Sequence, residues 1–394
     1  MKIIVADDDA SQRGYVAGLL HRAGHECILC AGGAEVLTAL QQTEAALVVS
    51  DVQMPDFDGL KVSRAIRSAD YGRYVYVLLI TTSGGSGDYV QCLEAGADDF
   101  MSKPVDRATL AVRITAAQRI LNYDQALQAQ TRKLGLAQEQ IQRDLAAAGH
   151  AQRALLPAAI LNSVKGCKIA PLFMPAHHVS GDMFNYFPLS EGRIGFYAAD
   201  VAGHGVRSAL VAVTLGHTLS PDYFANYVVD AGSSELFRPS LLAGVLNQRF
   251  TEPDYEDTYF TLIAGVIDCP TNRVHFCQAG HPSPLLINRA GEAEWHGDGG
   301  YPIGLVSDAV WTDETVHFDP GSRFIVHSDG ITEAASADGE IFGEHRLLTF
   351  VTKRRGESVG SLTADLAQEI SQWMGGAPIN DDVTMIAIER LGED

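Results

Sequence analysis

The chain has 394 residues, too many for one ordinary domain, and 46% of them are hydrophobic, enough for two or three packed cores. Lys and Arg number 29 against 49 Asp and Glu, a formal net charge of −20, which argues against a nucleic-acid partner held through counterion release. No run approaches the roughly 18 apolar residues of a membrane span, and MKIIVADDDA lacks a secretory apolar core, so no membrane partner and a cytoplasmic location are expected.

The first 121 residues alternate short apolar runs with helix-like segments. Lys2–Ala6 is a strand ending in Asp7, Asp8 and Asp9; residues 47–50 form another, ending in Asp51. A third, 74–80, ends in Thr81 and Thr82, and a fourth, 99–101, leads to Lys103. Helix-like segments at 10–23, 33–42, 60–68 and 87–95 lie between them. This alternation predicts a doubly wound parallel sheet, whose strand C-termini line up along one ligand-binding edge. The six cysteines are scattered and form no disulfide framework. Cys27 and Cys30 make a CxxC, but with Ile28 and Leu29 they read as a buried strand, with no second Cys/His pair at zinc spacing.

Carboxylates crowded at a sheet edge repel one another unless a hard cation sits among them, and Mg²⁺ takes such oxygen ligands. A carboxylate beside Mg²⁺, a hydroxyl and a Lys ammonium is able to accept a phosphoryl group. The ordered set DDD, DVQMPDFDG, TT and EAGADDFMSKP resembles the receiver domain of bacterial response regulators over residues 1–121. The resemblance implies a flavodoxin-like α/β fold and a cognate histidine kinase as partner. It also implies Asp51 as phospho-acceptor, with Asp7, Asp8, Asp51 and the Gln53 carbonyl around Mg²⁺. Thr81 and Phe100 would be the switch hydroxyl and switch aromatic, Lys103 the phosphate clamp, and Pro104 would follow it through a cis peptide. The segment 83–87, SGGSG, reads either as a loop of added mobility or as a plain surface loop.

From Asp106 to Leu156 the chain is rich in Ala, Gln, Leu and Arg, and Asp106 is placed to cap a helix. Ile120, Leu127, Leu134, Ile141, Ala148 and Leu155 step by seven, one seam of a heptad repeat. The second seam is poor, with Asp124, Thr131, Gln138 and Gln152 around a single Leu145. Gly135 and Gly149 each weaken a helix by about 1 kcal/mol relative to Ala. The stretch 122–156 therefore predicts a helical linker, a marginal coiled coil pairing two copies in parallel, biased by Asp51 phosphorylation.

The remaining segment, 157–394, changes to strand-like runs punctuated by Gly, Asp and Pro: 194–199, 260–268, 274–278, 285–288, 323–327 and 383–390. Two helical segments, 207–219 and 238–251, interrupt them, which suggests antiparallel sheets with helices outside. Asp182 in VSGDMFNYF, Asp200 in FYAADVAGHG, Asp329 in FIVHSDGITEA and Asp381 in NDDVTMIAIE stand at strand ends or beside glycines. Half-buried carboxylates are costly without counter-charge, and two divalent ions would satisfy four. Asp-Gly turn chemistry explains one such motif but not four in this order, with AGHPSPLLI and YPIGL between them.

From the ALLP at 154–157 onward, this pattern resembles the bacterial metal-dependent PPM (protein phosphatase 2C-like) serine/threonine phosphatases of the SpoIIE and RsbU type. The resemblance implies an α+β fold, a β-sandwich flanked by helices. It implies two Mn²⁺ or Mg²⁺ ions held by Asp182, Asp200, the Val201 carbonyl, Asp329 and Asp381, with Asp382 as the substitute for Asp381. Segments 207–219 and 238–251 would be regulatory helices. The usual GGD-x-YD motif is here SGDMFN, so Asn185 replaces a second carboxylate. His204 is either the acid that protonates the leaving oxygen or a structural turn residue, while His177, His178 and His281 read as structural. The function implied is a response regulator whose phosphatase acts on a phosphorylated anti-sigma-factor antagonist. The alternative is an adaptor that binds a stress sigma factor and delivers it for proteolysis.

Overall fold

The apolar runs of the first part of the chain become a parallel sheet whose three central strands are buried on both faces. The computed structural model describes residues 1–82, 86–157, 166–190, 192–229, 237–255 and 258–392, and the chain divides into two units, Met1–Glu139 and Gln140–Asp394. In chain order the first unit has β1 (Lys2–Ala6), α1 (Ala10–Arg22), β2 (Glu26–Cys30), α2 (Gly33–Gln42), β3 (Leu47–Asp51) and α3 (Gly59–Ser68). It continues with β4 (Tyr76–Thr81), α4 (Ser86–Glu94), β5 (Asp99–Ser102) and the start of α5 (Arg107–Arg153). The sheet order is β2-β1-β3-β4-β5, all pairs parallel.

Alternate strand residues serve opposite faces. Ile3, Val5, Leu47, Val49 and Leu78 pack with Val16 and Leu20 of α1 and with Leu110, Ile114 and Leu121 of α5. Ile4, Val48, Val77 and Leu79 pack with Val36 and Leu40 of α2 and Val62 and Ile66 of α3. Cys27 and Cys30 lie on β2 as a strand, but this edge strand is buried only at Cys30, with Cys27 half-buried and Leu29 exposed, so the expected burial is not met. Of the glycine-rich loop 83–87, residues 83–85 lie outside the described residues.

Asp106 caps α5: its Oδ2 accepts from the Thr109 N–H at 2.8 Å. The helix is continuous over 47 residues, about 70 Å at 1.5 Å per residue. Beyond Leu121 its apolar residues Leu127, Leu134 and Ile141 are exposed.

The second unit contains β6 (Cys167–Met174), β7 (Asp182–Ser190), β8 (Arg193–Val201), α6 (Val206–Thr218), α7 (Pro221–Val228) and α8 (Pro239–Phe250). After a 3₁₀ turn at Pro253–Tyr255 come β9 (Phe260–Asp268), β10 (Arg273–Ala279), β11 (Leu285–Ile287), β12 (Ala293–Trp295) and β13 (Glu314–His317). The chain ends through β14 (Arg323–His327), α9 (Asp329–Thr332), α10 (Gly343–Lys353), α11 (Val359–Trp373) and β15 (Val383–Arg390). Two antiparallel sheets, β13-β10-β9-β8-β7 and β12-β11-β14-β15-β6, face each other. Phe184, Phe196, Ile263 and Phe276 of the first meet Ile169, Phe324, Ile386 and Ile388 of the second. Helices α6, α7 and α8 cover the outer face of the first sheet, and α9, α10 and α11 that of the second.

Two helices were expected in 157–394, and the described residues there hold six, α6 to α11. In α11, Val359, Leu362, Leu366 and Ile370 are buried at the three- and four-residue spacing of one helical face. The same spacing in α10 buries Leu347, Phe350 and Val351. Ser220 caps α7, with Pro221 at its first position. These signals are local, but they are short and flanked by the glycines and acids that make the segment read as strands and turns.

Candidate functional site

Parallel strands deliver their C-terminal ends to one edge, and the first acidic site forms there. Single ligand atoms from Asp7, Asp8 and Asp51 all lie within 4.8 Å of one another. Lys103 Nζ donates to Asp51 Oδ2 at 2.6 Å and to Asp7 Oδ2 at 3.0 Å. Burial alone would lower the Lys103 ammonium, but its bonds to Asp51 and Asp7 outweigh burial and the net shift is upward. Three carboxylates against one ammonium leave two negative charges, which one divalent cation balances. An all-oxygen donor set of this kind suits Mg²⁺.

Thr81 ends β4 in a buried position, and Phe100 is half-buried on β5. The Gln53 N–H donates to Asp51 Oδ1 at 3.3 Å. The Lys103–Pro104 peptide is cis. A glycine is needed in DFDG because a Cβ on Gly59 would stand 2.3 Å from the Asp51 carbonyl oxygen. Asp9, the third acid of the run, is spent differently: its Oδ1 accepts from Ser11 N–H at 2.7 Å and caps α1.

The second site forms where the two sheets of the sandwich end together. Asp182 on β7 and Asp200 on β8 are directly opposite each other in the strand register. Asp200, Val201, His204, Asp329 and Asp381 line a cavity of about 360 Å³, together with Tyr259, Thr261, Asn380 and residues 202–203. That volume holds several waters at roughly 30 Å³ each. Asp182 is buried beside Asp200 and accepts from the Thr384 hydroxyl. Asp329 opens α9, and Ser328 before it donates to the Asp382 carbonyl oxygen at 3.1 Å. A Cβ on Gly330 would come within 2.0 Å of that same oxygen, which explains the Asp-Gly pair.

Burial, then Asp200, raises the Asp182 carboxyl well above its usual range. Asp200 is pushed up to about 7, first by burial and then by Asp329, Asp381 and Asp382. Asp329 and Asp381 are also raised, in both cases chiefly by burial. Four carboxyls held near one another at such cost, with only oxygen donors, fit hard divalent cations. Among the described residues they do not draw three ligand atoms within 4.8 Å, as the first site does: Asp200, Asp329 and Asp381 line a cavity with room for more than one ion, while Asp182 is buried beside Asp200 and is not part of the cavity wall.

Asp382 turns the other way. Its Oδ1 accepts from Ala176 N–H at 2.7 Å and its Oδ2 from Gly181 N–H at 2.8 Å, so its carboxylate ties the loop before β7. Asn185 stands opposite Tyr197 in the register, on the face of β7 away from Asp182, with its Oδ1 accepting from Tyr186 N–H at 2.9 Å. His204 is exposed, its ring 5.8 Å from that of His177. His281 is buried with Nδ1 2.8 Å from the Thr261 hydroxyl. Sequence reasoning missed Thr384, Asn380 and Thr261; Asn380 and Thr384 flank Asp381 in NDDVT, whereas Thr261 carries no local signal.

The family model for stage II sporulation protein E (SpoIIE) matches residues 190–391, more than half of the chain, and that for the response regulator receiver domain matches residues 3–115. Protein IcfG of Synechocystis is 28% identical over 240 residues, 57% of this chain and 38% of that protein. The transcriptional regulatory protein GltR of Pseudomonas aeruginosa is 36% identical over 123 residues, 31% of this chain and 51% of that protein. The chain thus spans about half or less of the length of these curated relatives. The SiaA-PP2C domain of Pseudomonas aeruginosa has the same fold, with a TM-score of 0.55 at 22% identity, covering 65% of this chain and 99% of that one. Among the described residues no helix is long and apolar enough to cross a membrane. With its receiver sheet in the first unit and its acid-lined sandwich in the second, the chain belongs to the SpoIIE family of PPM-type phosphatase domains, carried behind a response regulator receiver domain.

Proposed function

We propose that phosphorylation of Asp51 controls a metal-dependent phosphoserine/phosphothreonine protein phosphatase in the second unit. The observation that carries the reading is the pairing of Asp182 with Asp200 across β7 and β8, beside a cavity that also takes Asp329 and Asp381. Asp182, Asp200, the Val201 carbonyl, Asp329 and Asp381 would hold two Mn²⁺ or Mg²⁺ ions. When bound, those ions supply Lewis acidity at the phosphate and the means to deprotonate a water for in-line attack. His204, at the cavity wall, protonates the departing serine or threonine oxygen.

In the first unit Asp7, Asp8, Asp51 and the Gln53 carbonyl would hold Mg²⁺, and Asp51 takes a phosphoryl group from a histidine kinase. Lys103 Nζ neutralises the phosphoryl oxygens, while Thr81 and Phe100 register their arrival. The substrate class is a phosphorylated protein, and the SpoIIE membership supports an anti-sigma-factor antagonist of a partner-switching pathway. Domains at 1–121 and 157–394 are joined by the stretch 122–156, and two copies pair through the exposed Leu127, Leu134 and Ile141 of its helix.

The test is Mn²⁺- or Mg²⁺-dependent release of phosphate from a phosphorylated antagonist by the full chain. Asp200→Ala is expected to lower turnover at least about 100-fold. Unchanged turnover in that variant, or capture of a sigma factor with no phosphate release by the parent, would overturn the reading, the latter in favour of an adaptor.

A further inference from the structure

Gln152 is a polar gap in the heptad seam, yet it is buried in the second unit rather than offered to a second helix. Its Oε1 accepts from the Ser180 N–H at 3.0 Å and its Nε2 donates to the Ser180 carbonyl at 2.7 Å. A side-chain amide that closes on both backbone groups of one residue fixes distance and rotation together. The Ser180 hydroxyl in turn accepts from the Asp182 N–H at 3.0 Å. Gly181, between them, receives a bond from Val201 N–H at 3.3 Å, next to Asp200. One turn earlier in α5, Gly149 is buried with its Cα so close to the segment that a Cβ would lie 1.8 Å from the His178 carbonyl oxygen. The last turn of α5 therefore sits on the 178–182 segment at two successive points.

We propose that Gln152 is a positioning residue for Asp182. It holds the segment leading into β7 so that the Asp182 carboxylate faces Asp200, and it thereby sets the affinity of the second site for its metal ions. The inference rests on the reading of Asp182 and Asp200 as metal ligands. Gln152 acts from outside the cavity, through Ser180, so it touches neither ion nor substrate. Because it belongs to the last turn of α5, a rotation of that turn breaks both amide bonds and releases the segment.

The test uses the full chain with Gln152→Leu, which fills the space without either bond, and Gln152→Glu, which keeps only the acceptor for the Ser180 N–H. Mn²⁺ affinity is read by calorimetry or by electron paramagnetic resonance, beside melting of the metal-free proteins. Gln152→Leu is expected to bind Mn²⁺ about tenfold more weakly, with Gln152→Glu also weakened, and phosphatase turnover is expected to recover as Mn²⁺ is raised. A merely structural role would shift the melting temperature and leave Mn²⁺ affinity alone, which overturns the proposal. If Gln152→Leu does not fold, parental Mn²⁺ affinity in Gln152→Glu overturns it equally. A parent whose Mn²⁺ binding at this site is absent, or indifferent to Asp200→Ala, sinks the metal-site reading itself, a result distinct from equal binding by parent and variant.

Discussion

Asp381 and Asp382 are neighbours in the chain, and only the groups their oxygens reach tell them apart. Asp381 lines the cavity and is raised by burial, while both Asp382 oxygens are taken by backbone N–H groups at positions 176 and 181. Asp7, Asp8 and Asp9 divide in the same way, two toward Asp51 and one to a helix cap. His281 shows what burial does to a different group: desolvation first, and then His327, depress its pKa to about 3. A histidine depressed in the folded state binds fewer protons than in the unfolded chain, so its share of stability is intact above about 6.5 and is lost as pH falls from there toward about 3. His281→Gln is expected to show a smaller drop in urea midpoint between about pH 7 and about pH 5.5 than the parent. An equal drop in both proteins would mean that His281 does not resist protonation.

At the scale of elements, α5 carries two glycines that its sequence presents as equivalent and its surroundings separate. Gly135 has nothing within 4 Å of an added Cβ, whereas at Gly149 that atom would overlap the His178 carbonyl. Gly135→Ala is therefore expected to raise stability by up to about 1 kcal/mol through helix propensity. Gly149→Ala is expected to lower it, because backbone must shift to admit the methyl group. Thermal melting of the two single variants checks the contrast, and a stabilising Gly149→Ala would contradict the close approach. The heptad seams are affected as well: the exposed Leu127, Leu134 and Ile141 remain free to pair, but Gln152 of the second seam turns into the second unit and α5 ends at Arg153, before Leu155.

For the whole molecule, one continuous helix runs from the last packing layer of the receiver sheet to the segment that carries Asp182. An energy of a few kcal/mol at Asp51 is enough to shift a two-state equilibrium by orders of magnitude, provided the states differ in their hold on the phosphoryl group. Leu134→Cys is expected to form a disulfide-linked dimer whose yield changes when beryllofluoride occupies Asp51, together with phosphatase turnover. A yield and a turnover both indifferent to beryllofluoride would uncouple the two units.

Much of this was legible in the residues themselves. Apolar strands ending in acids, a cap at Asp106 and paired Asp-Gly motifs are local signals, because burial on both sheet faces and the geometry of turns restrict residue type within a few positions. The parallel sheet and the antiparallel sheets with helices outside follow from them, whereas the sandwich and the roles of Asp51, Asp182, Asp200, Asp329 and Asp381 came from the family resemblance. Tertiary structure alone decided which of two adjacent acids faces a cavity, that α10 and α11 close the outer face of the second sheet, and that Gln152 and Gly149 dock rather than pair. The bonds from Gln152 to Ser180, Asp382 to Ala176 and Thr384 to Asp182 span 28, 206 and 202 residues. No local pattern encodes such contacts, since a side chain acquires its partner only when distant segments pack against each other and burial leaves each polar group one bonding choice.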